Sequence, residues 1–140
     1  MTVLVKNELG WKELLKCISY SHLEGFYYKP RVDFDTILEC ELSGWVVMTG
    51  CIASFLNLDG TESFIRELMD RMEGNFYYEI MPHDHPKQIS HNDSLLEEML
   101  YKEWLVATHD CHYIRAEDEE VQQMLLYIQT NGKWKDHFRD

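Results

Sequence analysis

Trp45-Val-Val-Met48, then Phe64, Ile65, Leu68, Met69 and Met72, then Phe76-Tyr-Tyr-Glu-Ile80: this succession decides the fold. The first and last runs are short, apolar and rich in β-branched or aromatic residues, as buried strands are. The middle set recurs at the spacing of one helix face. Thr49-Gly50-Cys51 closes the first strand, and Gly74 ends the helix. Strand, helix, strand is the unit from which a parallel sheet grows.

The same alternation extends both ways. Val3-Leu-Val5 reads as a strand, and Asn7 to Gly10 lead into a helical stripe of Trp11, Leu14, Leu15 and Ile18. Pro82 to Ser90 reads as a polar loop. Asn92 or Ser94 can cap a helix carrying Leu95, Leu96, Met99 and Leu100. Leu105-Val-Ala107 is a fourth strand. Glu117-Asp-Glu-Glu120 then suits the first turn of a last helix, where the macrodipole favours negative charge, with Val121, Met124, Leu125 and Ile128 as its buried face. About four βα units predict an α/β fold with a parallel sheet, residues 1–140 forming one domain. They are too few to close an eight-unit barrel, so the sheet is open or belongs to a larger barrel.

Composition narrows the function. No apolar run is long enough to span a membrane, and the amino terminus lacks the basic-then-apolar layout of a signal peptide, so the cytoplasm is expected. Cys17, Cys40, Cys51 and Cys111 show no zinc-finger spacing and no Cys-x-x-Cys pair. They read as reduced thiols, most of them small core residues. The formal charge is −12, with 13 basic residues against 25 acidic ones. Nucleic-acid backbones are bound by clustered Lys and Arg. The chain alone is therefore not expected to bind nucleic acid directly; that would need metal ions, a basic partner or a local patch.

The carboxyl end of the fourth strand concentrates chemistry. Thr108-His-Asp-Cys-His-Tyr113 follows the apolar run. If the strand continues, Asp110 and His112 project from one face as a half-site for a divalent metal. The alternative is a polar loop capping the next helix.

Several stretches together resemble the PHP (polymerase and histidinol phosphatase) domain of the bacterial DNA polymerase III alpha subunit. They are Val5-Lys-Asn-Glu-Leu-Gly-Trp11, His22-Leu-Glu-Gly-Phe-Tyr-Tyr-Lys-Pro-Arg-Val-Asp33, Gly44-Trp-Val-Val-Met-Thr-Gly-Cys51, Asn75-Phe-Tyr-Tyr-Glu-Ile80, Val106-Ala-Thr-His-Asp-Cys-His-Tyr113 and Leu125-Leu-Tyr-Ile-Gln-Thr130. They follow the family's order and cover nearly the whole chain. The resemblance implies part of a distorted seven-unit (β/α) barrel, with a metal cluster at the carboxyl ends of its strands. In some members that cluster supports 3′–5′ exonuclease or phosphoesterase activity; in others it is degenerate. Family ligands fall on Cys51, Asp110 and His112, so the implied cofactor is a divalent metal, Zn or Mn. The family's amino-terminal His-x-His motif and its next ligands should precede the first strand. The resemblance thus leads us to expect a truncated or split module with an incomplete metal site.

Other residues have two readings each. His83, in the His83-Asp-His85 loop, is a phosphate or site contact or part of a solvated turn. Lys29 and Arg31 could meet a phosphate or pair with acids such as Asp33. Tyr27, Tyr28, Tyr77 and Tyr78 could stack bases, but read better as half-buried strand aromatics. His109 and Cys111 are expected to pack.

Three functions follow. The first is a replication module without polymerase activity, docking to a polymerase subunit or to the missing half of the domain. The second is an independent metal-dependent phosphoesterase or exonuclease whose site a homo-oligomer completes. The third is a binding protein that mimics the polymerase domain.

Overall fold

A computed structural model describes residues 1–98 and 104–132. The chain divides into two compact units, Met1–Thr108 and His109–Asp140. The first carries β1 (Thr2–Val5), α1 (Glu8–Leu23), α2 (Phe34–Glu39), β2 (Trp45–Met48), α3 (Thr61–Met72), β3 (Phe76–Ile80), α4 (Pro86–Glu98) and β4 (Leu105–Ala107). The second carries α5 (Glu119–Gln129) after a short 3-10 turn at Ala116–Asp118.

The four strands form one sheet in the order β1-β2-β3-β4. As the sequence predicts, β2, β3 and β4 run parallel. The edge strand does not: β1 pairs antiparallel with β2, Val3 opposite Val47 and Val5 opposite Trp45. A backbone contact at the start of α1 explains the reversal. A Cβ on Gly10 would lie 2.2 Å from the Gly44 carbonyl oxygen, and one on Gly44 would lie 2.5 Å from the Gly10 Cα. The Trp45 indole Nε1 donates to the Gly10 carbonyl at 2.8 Å, and the Lys6 N–H donates to the Gly44 carbonyl at 2.8 Å. The end of β1 is thus held against the beginning of β2, which only an antiparallel pairing satisfies.

That contact also rotates α1. Trp11, Leu15 and Ile18, predicted on its inner face, are exposed. The side turned to the core carries Gly10, Leu14, Cys17 and Ser21, about one residue round from the apolar stripe, because only glycine permits the approach. Asn7 caps this helix by accepting from the Gly10 N–H at 2.9 Å.

The core gathers under β2 and β3. Trp45, Phe76, Leu42, Leu68, Met72 and Val47 are all but inaccessible. Phe34 stacks on Phe64 at 4.1 Å, and Phe55 meets both rings edge-on, geometries aromatic quadrupoles favour. Arg71, from the last turn of α3, donates to the Leu38 and Cys40 carbonyls that end α2, satisfying orphan acceptors.

The helix α4 starts earlier than predicted. His85 and Pro86, rather than Asn92 or Ser94, open it: His85 Nδ1 accepts from the Lys87 N–H at 3.3 Å, and its carbonyl accepts from Gln88 and Ile89. Proline suits the first helical position, where no N–H is needed. Leu95 is buried and Leu96 exposed; Met99 and Leu100 lie outside the described residues.

In the second unit, Val121, Met124, Leu125 and Ile128 of α5 are exposed, not buried as predicted. The described part of that unit is a loop and one helix, with no second layer to cover an apolar face. Among the described residues, no helix is long and apolar enough to cross a membrane.

Candidate functional site

The carboxyl ends of β2, β3 and β4 meet at Glu79. This side chain is only 4% exposed. One carboxylate oxygen accepts from the Gly50 N–H at 2.9 Å, beyond the end of β2; the other accepts from the Thr108 hydroxyl at 2.6 Å, beyond the end of β4. The Glu79 N–H donates to Thr49 Oγ1 at 2.9 Å, and Thr49 is completely buried. A buried carboxylate is costly unless its oxygens are satisfied; here both are. Glu79 therefore ties the three parallel strands together where their carboxyl ends open onto loops.

The Thr49-Gly50-Cys51 motif takes its shape from this tie. Gly50 has φ +85, left-handed backbone that glycine adopts at little cost, and so turns its N–H toward Glu79. Cys51 follows, half-buried, and its carbonyl accepts from the Ser54 N–H at 2.8 Å. The buried Gln88 holds the same loop from α4. Its Oε1 accepts from the Ile52 N–H at 3.3 Å, and its Nε2 donates to Asn92 at 2.8 Å. Asn92 in turn binds both backbone groups of Met81, just past β3. Sequence reading missed Glu79, Gln88 and Asn92. A polar residue inside an aromatic strand was the available signal for Glu79; the two α4 residues gave none, because their stretch read as a loop and a cap.

In the second unit, Asp110 and His112 come together by a route other than strand alternation. β4 stops at Ala107, its last ladder bond running from the Thr108 N–H to the Ile80 carbonyl at 3.0 Å. Asp110 and His112 then lie in irregular backbone, His112 Nδ1 2.8 Å from the Asp110 carbonyl oxygen and 3.7 Å from Asp110 Oδ1. A carbonyl oxygen only accepts, so Nδ1 carries the proton, and a neutral His112 presents a lone pair at Nε2. Metal-binding imidazoles are commonly oriented in this way. His109 and Cys111, expected to pack, are exposed and face each other, Sγ to Nδ1 at 3.3 Å.

The other candidates lie in the first unit. His83 is half-buried in the loop before α4, its N–H bonded to the Met81 carbonyl at 2.9 Å. Lys29 and Arg31 are exposed, and among the described residues neither forms an ion pair. Asp33 instead caps α2 through the Thr36 N–H at 2.9 Å, and hydrogen bonding to Thr36 holds its carboxyl below the usual range. Tyr77 and Tyr78 are half-buried strand residues, as expected; Tyr27 and Tyr28 are not, standing in an exposed loop.

Whether these donors fit a metal follows from their number. Cys51 belongs to the first unit, Asp110 and His112 to the second. Among the described residues, no three His, Cys, Asp or Glu side chains gather where they could hold an ion. A catalytic zinc takes three protein ligands, and among the described residues neither unit by itself brings three such donors together.

Comparison with known proteins agrees with this architecture. Residues 1–83 match the family model described as "PHP domain". The DNA polymerase III subunit alpha of Thermus aquaticus is 33% identical over 138 residues, covering 93% of this chain and 11% of that protein. The corresponding subunit of Borreliella burgdorferi is 33% identical over 150 residues, covering 99% and 13%. That of Aquifex aeolicus is 30% identical over 137 residues, covering 92% and 12%. The chain thus spans about an eighth of the length of these relatives. The parallel strands, the Thr49-Gly50-Cys51 turn locked by Glu79 and a family match over more than half its length lead to one conclusion: the chain belongs to the PHP domain family.

Proposed function

We propose that this chain serves DNA replication as a PHP module of a DNA polymerase III alpha subunit, acting in the cytoplasm through docking rather than through chemistry of its own. The observation that carries this reading is the likeness of nearly the whole chain to part of a DNA polymerase III alpha subunit, together with the PHP family match over residues 1–83. In this reading Cys51, Asp110 and His112 are a partial donor set for a divalent cation such as Zn or Mn. His83, Lys29 and Arg31 stand as phosphate or site contacts.

Multi-metal clamps cleave phosphodiesters by stabilising both the attacking and the leaving oxygen. A partial set does not supply that arrangement, so the chain alone is expected to lack nuclease activity. The exposed apolar face of α5 and the open edge of β1 suit a partner chain. A polymerase subunit is the partner that the relatives suggest.

The test is single-strand 3′–5′ nuclease activity of the purified chain with added Zn²⁺ or Mn²⁺. We expect turnover no higher than that of an Asp110→Ala, His112→Ala control. Metal-dependent cleavage abolished in that control would overturn the reading.

A further inference from the structure

The loop from Gly25 to Arg31 is built in a way that holding α1 to α2 does not require. Its ends are pinned together: a Cβ on Gly25 would lie 2.0 Å from the Arg31 carbonyl oxygen, so only glycine allows the approach. Within the loop, the Tyr27 N–H donates to the Lys29 carbonyl at 3.1 Å, an isolated antiparallel bridge with Tyr28 at its tip. Tyr28 has φ +58, left-handed backbone that is costly for a bulky side chain. That conformation buries no side chain in the core, since Tyr28 is 81% exposed; Phe26 and Tyr27 beside it are 56% and 63% exposed. The Tyr27 and Tyr28 rings meet edge-to-face at 4.6 Å, and the Arg31 guanidinium lies over Tyr27 at 5.2 Å. Lys29 and Arg31, without ion-pair partners among the described residues, place two positive charges beside these rings in a chain of net charge −12.

We propose that this loop is a binding site for single-stranded nucleic acid, a base stacking on Tyr28 while Lys29 and Arg31 take the neighbouring phosphates. Stacking on an exposed aromatic ring needs an unpaired base. Two cations beside it contact phosphate without favouring a duplex, which the acidic remainder of the surface repels. The site builds on the phosphate contact given above to Lys29 and Arg31, but it needs neither a metal nor a polymerase partner, so its failure is distinguishable from a failure of docking.

The test is fluorescence anisotropy of the 140-residue chain with labelled oligothymidylate, in low salt and EDTA. Oligouridylate and a duplex of equal length serve as competitors. We expect saturable binding, with the duplex competing at least about tenfold more weakly than the single strands; the ratio of the two single strands tells DNA from RNA. Tyr28→Ala weakens binding about tenfold, while Tyr28→Phe, which keeps the ring, stays within about twofold. Lys29→Ala and Arg31→Ala each make the salt dependence shallower by about 0.7 in logarithmic slope. These side chains lie outside the core, and an unchanged melting transition certifies each variant as folded. Absence of binding by the parent chain, equal competition by the duplex, or Tyr28→Ala and Arg31→Ala both within about twofold of the parent would overturn the proposal.

Discussion

Helices α3 and α5 carry nearly the same apolar periodicity and meet opposite fates. In α3, Phe64, Ile65, Leu68 and Met72 are buried against Trp45 and Phe76; in α5, Met124 is 66% exposed and its three apolar neighbours are similarly bare. Periodicity marks which side of a helix can be buried, while burial itself needs a second layer. The first unit supplies that layer with its sheet, and the described part of the second unit has none. The polar groups divide likewise. Glu79 and Thr49 are buried with their bonds satisfied, whereas Asp110 and His112 remain exposed.

Truncation experiments break the comparison most directly. Leu68→Ala should lower unfolding stability by about 2–5 kcal/mol, because it leaves a cavity in a closed core. Leu125→Ala should stay within about 0.5 kcal/mol. Denaturant titrations of both variants measure this; an equal loss from Leu125→Ala would mean that α5 is covered in solution. Next comes the contact between glycines. Gly44→Ala forces its Cβ into the Gly10 backbone and should cost about 1–3 kcal/mol or more, as overpacking does. Glu79→Gln replaces one acceptor oxygen with a donor amide, and should cost about 1–3 kcal/mol through a weakened Gly50 or Thr108 bond. Backbone amide exchange at Gly50 would rise with it.

A smaller effect concerns pH. Burial holds the His91 imidazole below its ordinary value of 6.5, and its buried Nε2 has no hydrogen-bond partner among the described residues. The unfolded chain therefore binds the proton more readily than the folded one. Stability from this site is complete above about pH 6.5 and is lost as pH falls from there through the depressed folded value. His91→Phe should flatten that part of the stability profile between about pH 7 and 5, above the range where carboxylates titrate. The smallest effect is chemical. Burial, reinforced by the neighbouring Cys17, pushes the Cys40 thiol up to about 12. Since the thiolate is the reactive form, alkylation followed by mass spectrometry should modify exposed Cys111 first and Cys40 only on unfolding.

Much of the sheet was legible in the sequence. β2, β3, β4 and α3 each combine a consistent period with a clear stop, and local pattern suffices for such elements. The antiparallel β1 and the rotated α1 were not legible, because both follow from Gly10 meeting Gly44, a contact between distant positions with no periodic signature. The start of α4 was hidden by Pro82 and Pro86, which read as loop although Pro86 begins the helix. At the candidate site, the motif resemblance singled out Cys51, Asp110 and His112. It did not reveal Glu79, since a lone acid in a strand shows its role only once its hydrogen bonds are seen.

The central claim is that this PHP module works by docking. Native mass spectrometry tests it most directly, on the chain purified without chelators, alone and mixed with a DNA polymerase III alpha subunit from which the corresponding segment has been removed. The account predicts a one-to-one complex with that subunit and no whole-number metal on the chain by itself. A homodimer carrying whole-number metal and indifferent to the polymerase would contradict it.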